Sequence, residues 1–356
     1  MNRKRLTASI GMTFIVSILT VFILLIFSGE LSAKKNDFSR TFKQRPLILT
    51  RAFDLGYNSF YLSGTTKNTI FLGNGTAPTF FLKCSYLLKD TQSFLLNIDK
   101  NNELKVKSPN VFIDSPYFFV CDGIKPAILR GQLENKIASR FMYDNSYFTA
   151  AIPITTESFV LRSISRRSHE SILCKQNNDT PHVKIANNIL EKQIDGIFCT
   201  DGMLNYDKAS SLLVYVYYYR NQFICFDTNF NIKFKGNTID TTFHAQVKVS
   251  KINSENSTAL STPVLSVNKA SCIYKNWLFI CSRLKADNEN KNNFNHASVI
   301  DVYDLKNNGK YYFSFYLYDR TPDKIRAIKV EGNNLVELCD QFLYVHTLNS
   351  DYFKSY

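Results

Sequence analysis

The sequence predicts an all-β body folded as a β-propeller, six blades by repeat length, behind a single N-terminal transmembrane helix. Three observations carry this. One long run near the amino terminus has no charge and nothing like it recurs. The rest alternates short apolar runs with Gly, Asn, Asp and Pro, with scarcely an amphipathic helix. Its aromatics are 29 Phe and 20 Tyr against one Trp, and Phe and Tyr suit pleated, half-buried surfaces.

The charge-free run is Leu6 to Phe27, 22 residues directly behind Met1-Asn2-Arg3-Lys4-Arg5. At about 1.5 Å per residue a helix of that length can cross about 30 Å of hydrocarbon. The run exceeds a signal-peptide core, and Leu31 stands two places before Ala33 where a small residue would mark cleavage, so an uncleaved signal anchor is expected. The basic cluster abutting the run favours an inside amino terminus and an exported body. The expected domains are a basic tail (1–5), the anchor (6–27), a juxtamembrane linker (28–50) and a propeller-like body (51–356).

Net charge is +13, or +10 without Arg3, Lys4 and Arg5. The excess is scattered as single lysines, Arg162 to His169 being the one local cluster, and no nucleic-acid-binding signature accompanies it, so no nucleic-acid partner is expected. The eight cysteines form no CxxC, and most sit in apolar stretches as small buried hydrophobes. Only Cys272 and Cys281 could face each other across a hairpin, depending on register.

The strand pairs run Phe60 to Leu72, Val111 to Cys121, Phe141 to Ile152, Leu212 to Phe226, Ala270 to Cys281, and Ile328 to Leu338 with Phe342 to Leu348. Further strands are Phe159 to Ser163, Ile232 to Lys235, Ala297 to Tyr303 and Phe313 to Leu317; the one short helical stretch is Val183 to Gln193. Six loose units in about 300 residues average roughly 50 each, near the size of a four-stranded blade. Blades bury both faces, which accounts for continuous apolar runs such as Leu212 to Tyr219. Two β-sandwiches are the competing architecture, with Asn253 to Thr262 or Asp287 to Asn295 as the boundary.

With its anchor, Gly73 to Pro78, Phe118 to Gly123 and Ile194 to Tyr206, the chain resembles uncharacterised bacterial membrane-anchored proteins with a TolB-like six-bladed propeller. The resemblance implies architecture and no catalytic residue.

Phe119-Val-Cys121-Asp122-Gly123 and Phe198-Cys199-Thr200-Asp201-Gly202 echo one another as Asp-Gly blade turns. Asp122 and Asp201 on one rim, with Asp207, are the candidate catalytic residues. Asp195, Asp201 and Asp207 recur every six residues without the calcium-loop pattern, and the five histidines form no HxH or HExxH, so no metal is expected. No G-x-S-x-G, P-loop or Rossmann fingerprint is present, and no cofactor is expected. The sequence thus reads as a cell-envelope binding module, single-pass with a periplasmic body, whose partners are the membrane through Leu6 to Phe27 and an envelope protein or polymer. The alternative is an extracytoplasmic enzyme acting on glycan with loop carboxylates.

Overall fold

Six four-stranded antiparallel sheets are arranged in a ring in the computed structural model, which describes residues 3–31, 36–99, 107–143, 146–180, 182–186, 188–252, 257–261, 263–318 and 325–353. Each blade runs outward in chain order from its first strand. The first strands are Phe60–Thr65, Asn110–Asp114, Phe148–Thr155, Gly202–Asp207, Asn268–Tyr274 and Ile325–Glu331. Each contacts the first strands of both flanking blades, and Phe60–Thr65 meets Ile325–Glu331, so the ring is closed. Blade 2 carries an extra short strand, Asn97–Ile98, and a hairpin, Val249–Ile252 with Ser257–Leu260, is inserted between blades 4 and 5.

Blade 6 is assembled from both ends of the body. Ile325–Glu331, Asn334–Cys339 and Phe342–Leu348 supply three strands, and Leu47–Asp54 pairs antiparallel with the last, Arg51 opposite Val345. Residues 47–50, expected as linker, are therefore the start of the closing strand, and the compact body begins at Phe38.

A sheet with both faces covered needs apolar residues at successive positions, and Leu213 to Tyr217 are all fully buried. One apolar cluster fills each of the six gaps between blades. The gap between blades 5 and 6 takes Phe313, Phe315 and Leu317, alternate residues of one strand.

Three local expectations change. Phe141 to Ile152 is no hairpin: Ile137–Tyr143 ends blade 2 and Phe148–Thr155 begins blade 3. Val183–Ala186 is the outer strand of blade 3, its exposed positions having imitated a helical pattern; the short body helix is Lys291–Asn295. Asn253 to Thr262 lies in part outside the described residues, as do residues 1–2 of the tail and 32–35 of the linker.

Cys272 lies opposite Phe279 and Cys281 opposite Ala270, so that pair does not face, and all eight cysteines are buried thiols. Burial pushes Cys84 and Cys225 up to about 11, and Cys174 and Cys272 up to about 12. A thiolate-specific reagent at pH 8 should find no reactive cysteine in the folded protein and eight after denaturation. Rapid labelling of the native protein would contradict this packing.

The N-terminal unit is α1, Arg3–Leu31. Its side chains are described over residues 9–24, which span about 24 Å. Among the described residues no helix is long and apolar enough to cross a membrane.

Candidate functional site

Because the six first strands run the same way about the axis, the ring has two distinct ends. We call the end where they start the upper rim and the end where they finish the lower mouth. A cavity of about 500 Å³ occupies the lower half of the axis, lined by all six first strands. The walls approach closely there: a Cβ on Gly64 would stand 2.2 Å from the Ile113 carbonyl oxygen of the next blade. Gly64→Ala should therefore lower the melting temperature by several degrees in a thermal scan, since backbone cannot yield as a flexible side chain does.

The cavity wall includes a neutral polar belt. Asn205 Nδ2 donates to Ser271 Oγ at 2.8 Å, and Ser63 Oγ donates to the Val111 carbonyl at 2.5 Å. Charge gathers at the lower mouth, where Asp114, Asp207, Lys208, Lys275, Lys329 and Glu331 line the opening. Lys208 Nζ reaches Asp114 Oδ2 at 3.1 Å. Asp207 Oδ2 accepts from Ser210 N at 2.8 Å and Ser210 Oγ at 2.7 Å. Glu331 has no hydrogen-bond or ion-pair partner among the described residues. Burial and then Asp207 raise its carboxyl above the ordinary range, while Lys329 and Lys275 pull it down.

That shift has a definite sign. A carboxyl raised in the folded state penalises folding above its folded pKa, and the penalty disappears below the unfolded value near 4.3. Glu331→Gln should accordingly raise the melting temperature at pH 7, with the gain shrinking to nothing as the pH falls through the carboxylate range. A gain equally large at pH 3 would point to packing instead of charge.

The three candidate carboxylates do not converge. Asp201 and Asp207 bracket Gly202–Asp207, about 20 Å apart along one strand and at opposite ends of the ring. That exceeds the separation at which paired glycosidase carboxylates cooperate. Asp201 ion-pairs with Arg162 and caps Gly202 N at 2.8 Å. Asp122 shares the upper rim, but it is fully buried and its oxygens accept backbone N–H groups of Lys107, Ser108, Ile124 and Lys125. Of the three, only Asp207 lines the cavity.

The two Asp-Gly pairs occupy different turns, the first between strands of blade 2, the second at the entry to blade 4. Neither glycine has a positive φ. Close approach requires them instead: a Cβ would lie 1.8 Å from Phe148 O at Gly123 and 2.4 Å from Val216 O at Gly202. Asp195 caps Ile197, Phe198 and Cys199, apart from the other two aspartates. Among the described residues no three His, Cys, Asp or Glu side chains gather as a metal site. Glu331, Lys275 and Lys329 were not singled out by sequence, because Lys329 and Glu331 end one strand and Lys275 follows another more than 50 residues earlier, with no motif joining them.

The upper rim differs in character. Its loops expose Tyr57, Ile124, Tyr147, Ile194, Phe243 and Tyr318, between 51% and 72% accessible, at or beside five of the six blade junctions. At the lower end, Leu87 is exposed in a loop, and Ile48, Ile137 and Ile232 are exposed at or beside the starts of outermost strands.

No protein-family model matches the chain, and no curated protein matches it. Solved structures match in fold. A member of the DUF4221 family from Bacteroides vulgatus superposes with a TM-score of 0.50 at 14% identity, over 89% of this chain and 99% of that one. Virginiamycin B lyase from Staphylococcus aureus gives 0.48 at 9%, over 85% and 99%. BamB from Moraxella catarrhalis gives 0.41 at 9%, over 81% and 85%. At such identities the likeness is of fold alone, and fold does not dictate activity.

Proposed function

We propose that the chain is a membrane-tethered interaction module of the cell envelope whose upper rim docks another envelope protein. The observation that carries this is the set of exposed Tyr, Phe and Ile side chains on the loops of one end of the ring. Large apolar groups concentrated on one surface mark interaction sites, and Tyr and Phe are favoured where a partner buries them. Loops on a rigid sheet scaffold suit such a role, because their side chains vary without disturbing the core.

The tether reading rests on the full uncharged run from Leu6 to Phe27 within the continuous helix α1, whose described side chains Ile10, Phe14, Leu19 and Phe22 are all more than half exposed. Such a helix in water leaves these groups uncovered, and lipid would cover them. In this reading the body is exported to the periplasmic side, as the resemblance to membrane-anchored TolB-like proteins implies.

Pull-down from gently solubilised membranes should enrich one partner, which the variant Tyr57→Ser, Phe243→Ser, Tyr318→Ser should lose at unchanged melting temperature. Recovery of the protein alone under several detergents would count against docking. The tether predicts resistance to alkaline carbonate extraction; release into the soluble fraction would remove it.

A further inference from the structure

We infer that the lower mouth binds a small zwitterion, an amino acid or short peptide with both termini free. Its ammonium would sit between Asp207 and Glu331, and its carboxylate against Lys275 and Lys329. The mouth lies at the opposite end of the ring from the docking rim, so the two readings stand or fall separately.

The argument begins from what the charges there do to one another. Asp114 and Lys208 satisfy each other at 3.1 Å. The other four do not pair off. Asp207 spends one oxygen on Ser210 and leaves Oδ1 uncommitted, and Glu331 has no hydrogen bond or ion pair among the described residues. Lys329 likewise has no hydrogen bond or ion pair among the described residues, and the exposed Lys275 stands 5.4 Å from the Tyr274 ring centroid; both lysines act on the Glu331 carboxyl through space without a direct ion pair. Two carboxylates and two ammoniums therefore border one cavity with no direct ion pair among the four.

A ligand of one sign would satisfy one pair and repel the other. A neutral ligand would satisfy neither, and Asp207, Glu331 and Lys329 are at least partly buried, where a charge without a direct partner is costly. A zwitterion answers both at once, and charge-assisted hydrogen bonds are the stronger kind. The volume of about 500 Å³ falls in the range of small-molecule sites. Above the charged mouth, the wall offers the half-buried Phe112 and Ile152 to an apolar side chain and Asn205 and Ser271 to a peptide group.

The test is calorimetric titration of the full-length protein in detergent with L-alanyl-L-alanine, its N-acetyl derivative and its C-terminal amide. The parent dipeptide should bind with 1:1 stoichiometry, and each blocked form about tenfold more weakly or worse. Glu331→Gln should weaken the parent about tenfold while changing the N-acetyl form little; Lys275→Met should do the same with respect to the amide. Glu331→Gln is expected to be at least as stable as the parent protein, so loss of fold does not confound it. The inference is overturned if either blocked form binds as tightly as the dipeptide, if Glu331→Gln leaves its affinity unchanged, or if no heat appears up to about 10 mM dipeptide.

Discussion

A chain beginning at Asn36 should unfold cooperatively in urea, and one beginning at Leu55 should show no cooperative transition at all. The difference is the closing strand. Leu47–Asp54 covers the outer edge of Phe342–Leu348, and Thr50 Oγ1 bonds the buried His346 ring at Nδ1, 3.0 Å. Without it, an unpaired edge and the apolar gap holding Leu343, Val345 and Phe53 open to water. The same truncation removes Phe38 and Arg40, both buried on the body. Each buried large side chain contributes about 1.5–3 kcal/mol, so losing this segment removes a large share of a net stability of about 5–15 kcal/mol. A synthetic peptide of residues 36–54 should restore the transition when added in excess, because the groove it leaves is specific in register. If the chain from Leu55 unfolds at the same midpoint as the longer one, the ring is not closed by this strand.

The closing strand also shows why some of the fold was hidden in the sequence. Its outermost position leaves it half exposed, with an apolar run of only three residues, Leu47 to Leu49, and its partner lies almost 300 residues away. Strands covered on both faces, such as Leu212–Tyr217 and Trp277–Ser282, announce themselves by composition. The gap from Tyr143 to Phe148 is as short as a turn within a blade, so sequence reads it as a hairpin although it joins two sheets. Gly202–Asp207 looks like a polar turn because an innermost strand borders the cavity and tolerates Asn205 and Asp207 there. The cavity itself is assembled from six strands spread over most of the chain. Only Asp207 could be singled out in advance, because convergence in space leaves no spacing in sequence.

Replacing Arg40 with Met should cost about 3–5 kcal/mol of stability, the range found when a buried charge loses its partner. The Arg40 side chain is fully shielded. Its Nε and Nη2 bind Asp301 at 2.7 and 3.0 Å, Nη1 donates to Leu284 O at 2.9 Å, and Glu289 completes the set. Burial alone would favour the neutral guanidine, but Asp301 and then Glu289 outweigh it and raise the pKa. The carboxylates have their own supports: Ser314 Oγ donates to Asp301 at 2.6 Å, and the Tyr316 hydroxyl to Glu289 at 2.8 Å. Arg40→Met keeps length and apolar stem but leaves two carboxylates buried without a cation. Urea unfolding at pH 7 should show the loss. Adding Asp301→Leu and Glu289→Met should recover part of it, since replacing every member of a buried ionic cluster by apolar groups costs less than orphaning one. A single variant within about 0.5 kcal/mol of the parent would mean that the N-terminal segment does not dock on blade 5 through this residue.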